Sequence, residues 1–202
     1  NNGKEDFLSE KDAVLRTGLG TARWITVDDT GARHKAVNGY CTQIGNDHFA
    51  WFGTTDSKSR RNFLELLRAG HGDLSRKVID MLAGHPALWF SDKDSWMKHL
   101  KALGITELKV HPDPVTISTE GALVGSIVRH GLLKETVIVS DDAGQFNVFN
   151  HALCWVHAER TIHKILAVTK EQRRQIAIRK TLIWWFYGDL KTYKKNPTSQ
   201  AK

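Results

Sequence analysis

Cysteine is nearly missing from these 202 residues: only Cys41 and Cys154 occur, in dissimilar surroundings. That excludes a disulfide-stapled secreted scaffold and fits a reducing compartment, of which the bacterial cytoplasm is one. No apolar run approaches the roughly 18 residues of a membrane span, and no stretch has the basic-then-apolar pattern of a secretory leader. A glycine-rich phosphate loop, a Gly-x-Ser-x-Gly elbow and a dinucleotide fingerprint are also missing, which sets aside P-loop nucleotide hydrolysis, α/β-hydrolase chemistry and Rossmann-type cofactor binding. Low-complexity tracts and internal repeats are absent, so disorder is expected only near the ends. The chain opens Asn1-Asn2-Gly3 without Met, as a piece of a longer protein would.

What remains is an ordinary globular composition, 41% hydrophobic and 25% charged. A chain of this length forms one or one and a half domains and buries roughly 70% of its unfolded surface. The net charge of +7 is unevenly placed. From His157 to Lys202 eleven Lys and Arg residues face only Glu159, Glu171 and Asp189, so the whole positive excess lies in the last quarter. Such a block attracts a phosphate backbone, although a solvated helix face has the same look.

Two acidic pairs stand at the ends of apolar β-branched runs. Thr136-Val-Ile-Val-Ser leads into Asp141-Asp142-Ala-Gly, and Arg23-Trp-Ile-Thr-Val leads into Asp28-Asp29-Thr-Gly31. Each reads as a buried strand that delivers a carboxylate beside a turn. An aspartate at a strand end commonly does no more than stabilise its turn. Two in matching contexts suit Mg²⁺ or Mn²⁺, which take hard oxygen ligands and keep positions open for phosphate oxygens. Neighbours on a strand point to opposite faces, so one member of each pair faces a shared site and the other does not.

Along the chain, residues 1–22 read as a polar lead-in with a short helix at Asp12–Arg16. Arg23–Thr30, Ala36–Ile44 and His48–Thr54 read as three successive antiparallel strands. The first turns at Thr30-Gly31 and the last two join at Gly45-Asn46-Asp47. A helix begins near Ser57 or Ser59, carries Phe63, Leu64, Leu66 and Leu67, and stops at Gly70. Residues 71–135 read as a helical insertion with helices near Leu74–Leu82, Ser95–Leu103 and Thr119–His130, broken by Pro86, Pro112 and Pro114. A strand at Val137–Val139 and a final strand at Ala152–Val156 follow. Helix then takes over from His157 to Val168, and Thr169-Lys-Glu-Gln172 forms a capping box for a long helix ending at Asn196-Pro197. Ile176, Ile183, Phe186, Leu190 and Tyr193 share one face of that helix, while Arg173, Arg174, Arg179, Lys180, Lys191, Lys194 and Lys195 spread over the others.

The strand with Asp28, the segment Ser140-Asp141-Asp142-Ala-Gly-Gln-Phe146, the segment Cys154-Trp-Val-His157-Ala-Glu-Arg160 and the run Leu182-Ile-Trp-Trp-Phe-Tyr187 occur in one order. In that order they resemble bacterial insertion-sequence transposases of the IS-sixty-six type, in the RNase H-like D-D-E superfamily. The likeness covers the chain from about Arg23 onward. It implies an α/β fold, an RNase H-like mixed five-stranded sheet flanked by helices, with a helical insertion and a helical C-terminal extension. It divides the chain into a lead-in at 1–22, a core at 23–168 and a basic amphipathic helix at 169–202. It selects Asp28 and Asp141 as catalytic metal ligands for Mg²⁺ or Mn²⁺ and matches Cys154 and His157 to residues lining the site. It also implies transposon-end and target DNA as partners, with the protein acting as a homo-oligomer.

The resemblance leaves a gap. Its third carboxylate belongs to a Gly-Ser-Glu-Asn-like motif that does not occur in these residues. Glu159 and Glu171 are the only Glu residues after Asp141, and Glu171 is assigned to helix capping. Cys154 and His157 have the spacing of half a zinc site but lack a second pair. A buried cysteine and a capping histidine are the plainer alternative. Trp184, Trp185 and Phe186 fill a core or interface rather than stack on bases. The expected function is therefore the core of a DNA transposase, incomplete and inactive as these residues stand. The alternatives are a non-catalytic DNA-binding or assembly module, such as a decayed remnant, and a cellular ribonuclease H.

Overall fold

The computed structural model describes residues 2–34, 36–75 and 89–197. The chain forms two compact units, Asn1–Ala152 and Leu153–Lys202. The first is built on a five-stranded mixed sheet. Strands β1 (Trp24–His34), β2 (Val37–Gly45) and β3 (Ala50–Thr55) form an antiparallel meander, with β6 (Val137–Ser140) and β7 (Asn150–Leu153) continuing from β1, so the order is β3-β2-β1-β6-β7. β6 runs parallel to β1.

The first hairpin is longer than its residues suggest. Thr30-Gly31 does not turn. Gly31 stays in the ladder opposite Tyr40, and the pairing runs on to His34 opposite Val37, with Ala36 taking the left-handed φ of 61°. A glycine beside a threonine signals a turn only when nothing competes, and here the partner strand supplies backbone bonds past that point. The second hairpin lies where Gly45-Asn46-Asp47 places it, closed by Asn46 N–H donating to the Phe49 carbonyl at 2.9 Å.

The lead-in is a 20-residue helix, α1 (Asn2–Thr21), whose Leu15 and Leu19 are fully buried. Arg16 Nε donates to the Ala69 carbonyl at 2.9 Å, and the Leu133 N–H donates to the Leu19 carbonyl at 2.9 Å. The segment looked peripheral because its polar residues outnumber its apolar ones. Two leucines one turn apart are nonetheless enough to seat a helix on a core.

Helix α2 (Arg60–Leu67) begins where Ser59 accepts from the Asn62 N–H and buries Phe63, Leu64 and Leu67. Phe63 meets Phe146, from the turn after β6, edge to face with ring centroids 5.0 Å apart. Leu74–Ser75, expected to open a helix, is instead β4, paired antiparallel with β5 (Trp89–Phe90); the remainder of that expected helix and Pro86 lie outside the described residues. Helix α3 (Lys93–Ala102) is capped by Asp92. Helix α4 (Pro114–Arg129) starts five residues before Thr119, because Asp113 caps it and Pro114 occupies the first turn, where a missing N–H costs nothing. Trp96 Nε1 of α3 donates to Thr119 Oγ1 of α4 at 3.1 Å inside the core. Gly125 lets α4 lie against the Ser75 backbone, since a Cβ there would overlap the Ser75 carbonyl.

The second unit holds two helices, α5 (Trp155–His163) and α6 (Lys170–Lys195). Trp155, expected in the last strand, starts α5 instead. Thr169 and Gln172 complete the capping box reciprocally. Glu171, assigned above to capping, instead pairs with Arg174 at 3.0 Å and accepts from Gln175 Nε2 at 2.7 Å, because a box uses the third residue after the cap and that residue is Gln172. Ile176, Ile183 and Tyr193 are half-buried, whereas Phe186 and Leu190 are exposed.

Candidate metal centre

The parallel ladder between β1 and β6 pairs Trp24 with Val137, Ile25 with Ile138 and Thr26 with Val139. Carried two residues further, the same offset sets Asp28 level with Asp141, which directly follows β6. Residues level in a parallel pair project to the same face. Ile25 and Ile138 are both 0% exposed and mark the face against the helices. By alternation Asp28 belongs to the other face, and it is exposed. Asp141 is half-buried at the strand end, where its Oδ1 accepts from the Ala143 N–H at 3.2 Å and fixes the turn. Ser140 Oγ lies 2.8 Å from His151 Nε2, tying β6 to β7 beneath it.

Asp29 has a different fate. Its side chain is only 6% exposed, ion-paired with Lys58, and accepts from Gln145 Nε2 at 3.1 Å. Lys58 also lies over the Tyr40 ring at 5.3 Å, within the roughly 6 Å reach of a cation–π contact. The hydrogen bond that Lys58 donates to Asp29 holds its ammonium above the usual lysine range; burial opposes this, and the charges of Asp29 and Asp141 add to it. The Asp29 carboxylate is thus occupied by a side-chain cation, and the Asp28 carboxylate is open. Asp142 is exposed.

Arg60, at the start of α2, donates to the Gly144 carbonyl at 3.0 Å and approaches Glu120 of α4 at 3.9 Å. Lys58 and Arg60 were not singled out from the sequence. They flank the start of α2, and only the folded chain brings Lys58 to Asp29 and Arg60 to the turn after β6.

Cys154 and His157 lie in the second unit. Cys154 is the N-cap residue of α5 and makes no side-chain capping bond, and the His157 Nδ1 is buried with no hydrogen-bond partner among the described residues. The plainer expectation of a capping histidine does not describe it.

On α6, Arg173, Arg179, Lys191, Lys194 and Lys195 are exposed, and Arg174 is exposed while paired with Glu171. Lys180 Nζ sits 2.7 Å from His163 Nδ1, and Lys191 lies over the Tyr187 ring at 4.7 Å. Trp155 packs edge to face on Phe186 with centroids 5.6 Å apart, while Trp185 is 68% exposed. No helix among the described residues is long and apolar enough to cross a membrane.

Comparison with known proteins yields a relative without an assigned activity. The chain is 45% identical over 199 residues to the uncharacterized protein y4jO of Sinorhizobium fredii (strain NBRC 101917 / NGR234), a match covering 91% of this chain. The chain spans about 61% of the length of that relative. No protein-family model matches the chain, and no solved structure matches it.

Proposed function

We propose that this chain is the catalytic core of a DNA transposase, an RNase H-like polynucleotidyl transferase that holds Mg²⁺ or Mn²⁺ between Asp28 and Asp141. The observation that carries the reading is the parallel pairing of β1 with β6, whose register, carried two residues past its last pair Thr26–Val139, sets Asp28 level with Asp141. The sheet order β3-β2-β1-β6-β7, with an antiparallel meander followed by a parallel strand, supports the RNase H-like assignment. The donor set suits the metal: both groups are hard oxygen ligands.

A metal bound there would lower the pKa of the attacking hydroxyl and stabilise the leaving oxygen of a phosphodiester. Asp28 and Asp141 would hold the ion, since carboxylates by themselves repel a phosphate. Asp29, paired with Lys58, would not be a ligand. The exposed cations of α6 would track the phosphate backbone without reading its sequence. The third carboxylate that such chemistry uses has no motif match in these residues, so no strand cleavage is assigned to them.

Mn²⁺ binding followed by electron paramagnetic resonance tests the site. Asp28→Asn and Asp141→Asn should each weaken binding, whereas Asp29→Asn should leave it. Loss only in Asp29→Asn would move the ligand to the inward face. At the level of activity, a protein with the third carboxylate that still cut transposon ends after Asp141→Asn would refute the assignment. A non-catalytic DNA-binding module is the second reading, favoured by the exposed cations of α6. It predicts DNA binding indifferent to every one of these carboxylate changes and to Mn²⁺.

A further inference from the structure

A second cluster of ligand-bearing side chains forms where the loop after α2 meets the C-terminal end of α4. One ligand atom each from His71, Asp73 and His130 lies within 4.8 Å of the others. His130 Nε2 is 2.6 Å from Asp73 Oδ1, which also accepts from Ser126 Oγ at 3.2 Å. Arg129 Nη1 approaches the other oxygen, Asp73 Oδ2, at 3.4 Å, and its guanidinium is held over the Trp89 ring at 4.0 Å. The Asp73 and His130 side chains are only 17% and 26% exposed. His71 stacks on His130 with centroids 3.5 Å apart. Gly70 and Gly131, both at positive φ, turn the chain beside each histidine and let the two segments converge.

We propose that His71, Asp73 and His130 form a transition-metal site of the Zn²⁺ class. Two imidazoles and one carboxylate are the ligands of many zinc centres with an open fourth position. Nitrogen donors favour Zn²⁺ or Co²⁺ over Mg²⁺, so this site is chemically distinct from the oxygen-only pair Asp28 and Asp141 and stands whether or not that pair binds metal. Ser126 supplies the outer support that orients a ligating carboxylate. The stacked rings are 6° from parallel, so their lone pairs do not yet meet at one point. A turn of one imidazole about its soft χ2 torsion brings its nitrogen to the ion. The bound ion would join the loop after α2 to the end of α4.

The test is a Co²⁺ titration of the 202-residue chain read by visible absorption, followed by displacement with Zn²⁺. The expected result is one Co²⁺ per chain, with the d–d bands of a four- or five-coordinate ion, unaffected by excess Mg²⁺. His71→Gln and His130→Gln should each weaken binding more than about 100-fold, and Ser126→Ala by about 10-fold, as loss of an outer-shell partner does. His48→Gln and Cys154→Ser should bind as the parent does. Zn²⁺ added to the parent protein should shift the ring ¹⁵N resonances of His71 and His130 and no others, a readout that needs no variant to fold. Absence of stoichiometric binding, loss of binding in Cys154→Ser with retention in His71→Gln, or ring shifts at other histidines would overturn the proposal.

Discussion

The imidazoles of His71 and His130 lie ring on ring, with planes 6° apart, and the second of them is bonded to Asp73. Burial, and then the nearby charge of His130, hold the His71 pKa below its usual value of 6.5. Burial pushes the Asp73 carboxyl up, but the hydrogen bond and charge of His130 and the hydroxyl of Ser126 outweigh it and hold that group below 3.8. Both shifts act in one direction. Neutral His71 and ionised Asp73 contribute stability at neutral pH. The histidine part is lost as pH falls from 6.5 through the lower folded value, and the aspartate part as pH falls from 3.8 through its own. In metal-free protein the urea midpoint should therefore begin to drop below about pH 6.5, at the ordinary histidine range. His71→Gln should flatten the upper part of that decline, and Asp73→Asn the lower.

Lys58 and Asp29 form a pair in which one partner is 42% exposed and the other 6%. Lys58→Met should strand a nearly buried carboxylate and cost about 1–3 kcal/mol, less than a fully buried pair would because solvent reaches the lysine. Adding Asp29→Asn should recover much of that loss, since both charges then disappear. Urea unfolding of the two single variants and the double variant measures the coupling.

Leu15 and Leu19 of α1 are 0% exposed. Leu15→Ala should cost about 2–5 kcal/mol, the range for a buried leucine cavity. A loss below about 0.5 kcal/mol, typical of surface changes, would show that α1 is an appendage and not part of the core.

Thr169 starts α6 through a reciprocal box with Gln172. Thr169→Ala should destabilise the first turn by about 0.5–2 kcal/mol. Faster amide exchange confined to that end of the helix would report it.

Arg173, Arg174, Lys194 and Lys195 stand near the two ends of α6. If they contact phosphates, replacing all four by alanine should reduce the slope of log affinity against log salt by about 3–4, at roughly 0.9 per phosphate contact on duplex DNA. An unchanged slope would place the DNA-binding surface elsewhere.

Local chemistry made much of this fold legible. Ser59, Thr169 and the Gly45-Asn46-Asp47 turn act through bonds that span two to four residues, so their effects appear in the sequence itself. Local preference lost where a distant partner competed with it. Gly31 stayed in a strand because Tyr40 was opposite it, and Leu74-Ser75 became a strand because Trp89-Phe90 paired with it.

The candidate site divides along the same line. By itself the sequence determined that both acidic pairs belong to apolar β-branched strands and that Asp141 and Asp142 follow the end of one, because alternation and turn propensity are properties of neighbouring residues; Asp28 and Asp29, expected at a strand end, lie inside β1 because β2 pairs past them. Only the tertiary structure decided that β1 and β6 are parallel neighbours, that their register sets Asp28 level with Asp141, and that Lys58 occupies Asp29. Those outcomes, like the meeting of His71, Asp73 and His130, depend on which distant segments bury their apolar faces together. That choice is made by packing across the whole core, and no short window of residues contains it.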